Sequence, residues 1–176
     1  MNFEAFHVVT ERPMEKGQRI IFDENHHSGV YERVMSKLET VDEIYANPKK
    51  YRAQELEHHV SVALRELALE EVRVKEFPCY PSRLSCLYVS KTLEEAKDWL
   101  DYFVSLKRPV FGIARLSIDG RFFLGDAEKC FRGKTNKEEN LRLARLYWSC
   151  PKEEIETPEM LIDGIITVEE IIKEDI

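Results

Sequence analysis

The sequence predicts an α+β fold with a mostly antiparallel sheet. Three observations lead there. Segments with strand and helix character follow one another as strand, two helices, strand, helix, hairpin, helix, hairpin. A doubly wound sheet would instead alternate strand and helix. The chain has 176 residues, 43% of them hydrophobic, with no repeat or linker, so residues 1–176 read as a single domain. Only 7 Gly and 7 Pro occur, which argues against a disordered or linker-rich chain.

The elements follow in order. Phe6-His7-Val8-Val9 is apolar and reads as a first strand, with turn chemistry after it at Pro13 and Gly17 and a second apolar patch at Arg19–Phe22. Val30, Val34, Leu38, Val41, Ile44 and Tyr45 recur every three or four residues, which predicts one helix ending at Asn47-Pro48. A longer helix is expected from about Ala53 to Lys75, with Leu56, Val60, Ala63, Leu64, Leu67 and Val72 as its apolar face. Arg83 to Ser90 reads as a strand. Thr92 reads as the N-cap of the next helix, with Glu95 three residues on as its capping partner. Pro109–Leu116 is a strand that Asp119-Gly120 turns into Arg121–Leu124 as a hairpin. Glu138–Trp148 is a helix. Glu159–Ile162 and Ile165–Val168, joined by Asp163-Gly164, close the chain.

Composition narrows the function classes. Lys and Arg number 26 and Asp and Glu 33, a net charge of −7 with no global basic field for duplex nucleic acid. No apolar run approaches the ~20 residues of a membrane span, and the N-terminus lacks signal-peptide character. Cys79, Cys86, Cys130 and Cys150 form no Cys-x-x-Cys pair, so free thiols in the cytoplasm are expected. Gly133-Lys134-Thr135 is the nearest approach to a phosphate loop. The position that should carry the first glycine is Glu128, which would repel phosphate. His26-His27, in a polar loop, and His58-His59, on a helix where adjacent side chains point ~100° apart, are read as exposed or partly buried histidines, and no metal site is expected.

Three polar residues stand inside apolar strands: His7, Tyr88 in Leu84–Val89, and Glu159 after Thr157-Pro158. A histidine in a strand needs hydrogen-bonded nitrogens, and glutamate is depleted in strands. Packing explains each singly. Together, in this order, they resemble the His-Tyr-Glu members of the ADP-ribosyltransferase-like superfamily. Tyr80–Tyr88 and Ala144–Trp148 further resemble an uncharacterised bacterial family, a domain of unknown function similar to that superfamily.

The resemblance spans residues 6 to about 172. It implies a split, mostly antiparallel sheet, from which this sequence departs by a long two-helix insert at about residues 11 to 82, between the first two strands. It also implies an NAD-consuming ADP-ribosyltransferase or NAD glycohydrolase. His7 would bond a ribose hydroxyl of NAD, Tyr88 would lie against nicotinamide, and Glu159 would stabilise the oxocarbenium-like centre. Arg83 and Arg12 are expected pyrophosphate partners. The acceptor is left open among protein, nucleic acid, small molecule and water. One alternative is a relative of the RNA 2′-phosphotransferases, with Arg142 and Arg145 on a small basic face. Another is a non-catalytic binding module presenting Trp99, Tyr102 or Trp148.

Overall fold

A computed structural model describes residues 1–173. Seven strands and six α-helices run β1 (Asn2–Thr10), β2 (Arg19–Phe22), α1 (Val30–Met35), α2 (Leu38–Ala46), α3 (Pro48–Tyr51), α4 (His58–Glu76), β3 (Leu87–Val89), α5 (Leu93–Ser105), β4 (Val110–Asp119), β5 (Phe122–Asp126), α6 (Lys137–Trp148), β6 (Pro158–Ile162) and β7 (Gly164–Ile172). The fold is α+β. All strand pairs are antiparallel, in two sheets ordered β1-β4-β7-β2 and β3-β6-β5.

Both expected hairpins are corrected. β4 pairs with β1 and β7, whereas β5 pairs with β6; β6 pairs with β3 and β5, whereas β7 pairs with β4 and β2. Each Asp-Gly turn therefore carries the chain from one sheet to the other. The two crossings lie side by side, with Asp163 N–H donating to the Arg121 carbonyl at 3.2 Å. A Cβ on Gly120 would strike the Asp163 carbonyl oxygen, and one on Gly164 would strike that of Asp119. Gly164 also has φ +94°, which a side chain resists.

Alternation along each strand feeds two cores. Ala5, Val9, Leu116, Ile118, Ile166 and Val168 of the larger sheet pack with Val89, Met160 and Ile162 of the smaller one. On the outer face of the smaller sheet, Phe123 and Leu161 meet α4 and α6 through Leu69, Val72, Tyr147 and Trp148. On the other side, α5 covers Val8 and Ile113 with Ala96 and Leu100. Thr92 Oγ1 accepts from Glu95 N–H, and Glu95 Oε2 accepts from Lys91 N–H, so the expected cap of α5 is present.

The insert differs from the two-helix expectation. It holds edge strand β2 and four helices. The run from Val30 to Tyr45 is broken at Ser36-Lys37 into α1 and α2, although Val34, Val41 and Ile44 still share one core with α4. α4 starts at His58 rather than Ala53 because the Glu57 carboxylate caps the amides of His59 and Val60. The strand expected over Arg83–Ser90 shrinks to three residues, since Ser82–Cys86 is turn and side-chain scaffold. Among the described residues, no helix is long and apolar enough to cross a membrane.

Candidate functional site

Strands β1 and β3 touch at one bridge, where Phe6 and Ser90 exchange both backbone hydrogen bonds at 2.9 and 2.7 Å. Beyond it the strands part and the sheet splits. A cavity of about 390 Å³ opens there, within the ~300–1,000 Å³ typical of small-molecule sites. His7, Tyr88 and Glu159 all line it, beside Trp99, Phe103 and Arg108. The three sequence-predicted residues, from three different strands, are thus brought together.

His7 is half-buried. Its Nδ1 lies 2.7 Å from the Tyr88 carbonyl oxygen. A carbonyl only accepts, so Nδ1 carries the proton, and in the neutral ring Nε2 keeps a lone pair. Burial lowers the imidazole pKa, and the bond to Tyr88 only partly offsets this. The ring is therefore neutral at pH 7, with Nε2 able to accept a hydrogen bond from a ligand hydroxyl.

Tyr88 and Glu159 sit on adjacent strands, and the register Tyr88–Leu161 puts Tyr88 on the Leu161 face, which Glu159 shares two residues earlier. That face looks toward α4 and α6. Glu159 Oε1 accepts from Tyr147 Oη at 2.5 Å and from Arg83 Nη1 at 2.6 Å. Oε2 accepts no hydrogen bond from the described residues. The Tyr88 ring lies 5.4 Å from the Arg83 guanidinium, which also sits 5.0 Å from the Tyr147 ring.

Arg83 is placed differently from the expectation. It is 5% exposed and lies behind the cavity wall, so it is not open to a pyrophosphate. Its Nε and Nη2 go to both oxygens of Glu66, itself 3% exposed, and Glu66 in turn pairs with Arg65. Burial works against the Arg83 charge, but Glu66 heads the groups that hold its pKa well above the ordinary value. Burial likewise opposes ionisation of Glu66, and the two arginines together keep its pKa below the usual carboxylate range. The result is an internal chain, Arg65–Glu66–Arg83–Glu159, ending at the cavity.

Arg12 is exposed past the end of β1 and forms no part of the cavity wall. The cation at this cavity is Arg108, which the sequence reading missed. Its guanidinium lies over Phe103 at 4.5 Å and donates to Thr10 Oγ1 at 3.3 Å. Only the pairing of Thr10 with Val110 carries it there. Asp126 was also missed. Fully buried, it accepts from the amides of Glu128, Glu156 and Thr157 and so fixes the approach to Glu159. Burial raises its pKa, but those three donors prevail and hold it low.

The remaining candidates separate. Trp148 is 2% exposed, with its indole N–H on the Leu69 carbonyl, so it offers no partner surface. Arg142 and Arg145 are paired with Glu139 and Glu76 at 2.7 and 2.8 Å. Trp99 and Tyr102 line a second concavity with Glu95, Asp98, Glu128 and Glu156. His26 bonds Asp23, and His27 bonds Ser85 and stacks on Tyr31. Among the described residues, no group of three or more His, Cys, Asp or Glu side chains is arranged to hold a metal. The four cysteines are free thiols, and burial pushes the Cys86 thiol pKa up.

Among the curated proteins none matches the chain. A family model described as "Protein of unknown function (DUF2441)" matches residues 5–174, and the chain belongs to that family.

Proposed function

We propose that this protein binds NAD in the split-sheet cavity and cleaves its nicotinamide–ribose bond, as an ADP-ribosyltransferase or NAD glycohydrolase. The carrying observation is the meeting of His7, Tyr88 and Glu159 at one cavity, the three residues through which the chain resembles the His-Tyr-Glu enzymes. His7 Nε2 accepts a hydrogen bond from a ribose hydroxyl, and the Tyr88 ring provides an aromatic wall for nicotinamide. Arg108 supplies positive charge for the pyrophosphate.

When the C1–N bond breaks, its electron pair leaves with nicotinamide and positive charge grows on the ribose. Glu159 Oε2 accepts from the ribose 2′-hydroxyl and offsets that charge. Arg83 and Tyr147 hold the carboxylate still through Oε1. The incoming nucleophile bonds to C1 and releases its proton to solvent or to a base on the acceptor.

The neighbouring concavity carries Glu95, Asp98, Glu128 and Glu156 and no lysine or arginine. A phosphorylated RNA acceptor would be repelled there, which weighs against the 2′-phosphotransferase reading. One observation favours a non-catalytic binding module: Arg83 already neutralises Glu159. Incubation with NAD, followed by chromatography for free nicotinamide, separates the readings. The expected result is release that falls ~10²–10³-fold in Glu159→Gln. An NAD titration with no calorimetric response, in a well-folded sample, supports the module. Release unchanged by Glu159→Gln overturns the catalytic assignment.

A further inference from the structure

We propose that the concavity between the Arg52–Leu56 segment and the Arg132–Thr135 loop binds the phosphomonoester or pyrophosphate group of a small molecule. It is an open concavity of about 390 Å³, walled by Arg52, Gln54, Glu55, Leu56, Arg132, Lys134 and Thr135. It shares no wall residue with the His7 cavity, so it stands apart from the NAD reading.

Three cations face one carboxylate there, a formal charge of +2 in a chain that carries −7. Neither Arg52 nor Arg132 forms an ion pair or hydrogen bond with any described residue. Elsewhere Arg65, Arg73, Arg83 and Arg121 are each matched by a carboxylate. Lys134 has only a long contact of 3.9 Å to Glu139. Like charges gathered in excess of the nearby carboxylate repel one another, and a bound anion relieves that repulsion. Guanidinium groups match phosphoryl oxygens with paired donors, and the Thr135 hydroxyl adds a neutral one.

One wall of this site is built rather than loose. Asn140, fully buried, accepts from Lys134 N–H at 2.9 Å and donates to the Lys134 carbonyl at 2.7 Å. Its second amide hydrogen goes to Tyr45 Oη. Ser61 Oγ donates to the Gly133 carbonyl. The loop lies so close to α4 that a Cβ on Gly133 would strike the Ser61 carbonyl oxygen. Arg132, Lys134 and Thr135 therefore project from a clamped backbone, and little conformational freedom is lost on binding. Gly133-Lys134-Thr135 serves here as a clamp and two donors, with no wrapped phosphate loop.

Titration calorimetry with inorganic pyrophosphate at low salt tests this. Wild type is expected to bind, with affinity falling as salt rises. Arg52→Ala and Arg132→Ala should each weaken binding about tenfold or more. Both should leave the melting temperature nearly unchanged, because both side chains are exposed and neither forms an ion pair or hydrogen bond with a described residue. Arg19→Ala, an exposed arginine on β2, should bind as wild type does. Absence of pyrophosphate binding overturns the proposal, as does binding indifferent to Arg52 and Arg132. Loss of binding in Arg108→Ala, the cation of the His7 cavity, moves the probe to that cavity and overturns it too. Tighter binding of a single-stranded RNA that depends on the same two arginines makes the site a nucleic-acid surface and also overturns it.

Discussion

Arg83 is the residue on which the site turns. It is buried, and its charge is tolerable only because Glu66 and Glu159 share it. Glu66→Ala should therefore cost ~3–5 kcal/mol in urea unfolding, since it strips the guanidinium of its two-pronged partner. Tyr147→Phe removes two charge-assisted hydrogen bonds, one donated to Glu159 and one accepted from Arg83, and should cost about 2–3 kcal/mol. His7 acts through pH. Its pKa is lowered on folding, so below about pH 6.5 the unfolded chain takes up the proton more readily than the folded one. Its contribution to stability is complete above that pH and is lost as pH falls toward the folded pKa. Urea midpoints at pH 7.5 and 5.5 should drop further for wild type than for His7→Gln.

At the level of elements, α5 positions the cavity's outer wall through Trp99, Phe103 and the turn that delivers Arg108. Its N-terminus has a side-chain cap, and Thr92→Ala should lower stability by about 1 kcal/mol. Its C-terminus ends on Lys107 at φ 57°, a conformation glycine adopts more easily. Lys107→Gly is expected to stabilise the fold by about 0.5–1 kcal/mol, read from the shift in thermal midpoint. Trp99 also donates from Nε1 to the Pro158 carbonyl at 3.3 Å, which ties the helix to the strand that carries Glu159.

The whole molecule depends on two adjacent chain crossings between sheets. Gly120 and Gly164 let those crossings touch, and no side chain fits at either. Gly120→Ala and Gly164→Ala should each cost at least ~2 kcal/mol by chemical denaturation, because the backbones must separate. The same split creates the cavity, since β1 leaves β3 after a single bridge. Charge is divided at this scale as well. Carboxylates line the groove beside the Glu159 cavity, while the unmatched Arg52 and Arg132 gather near the start of α4.

Sequence by itself determined the mixed class, most strand and helix cores, the cap at Thr92 and the three polar residues His7, Tyr88 and Glu159. These follow from local periodicity and from the cost of a polar group in an apolar strand, and both are carried by neighbouring residues. It misassigned both Asp-Gly turns as hairpins, because a tight turn fixes a change of direction but not which strand accepts the hydrogen bonds. The burial of Arg83, the arrival of Arg108 beside Thr10 and the convergence on one cavity were decided only by tertiary structure. Each depends on pairings between residues far apart in the chain, and those pairings are chosen by packing of the two sheets rather than by any local preference.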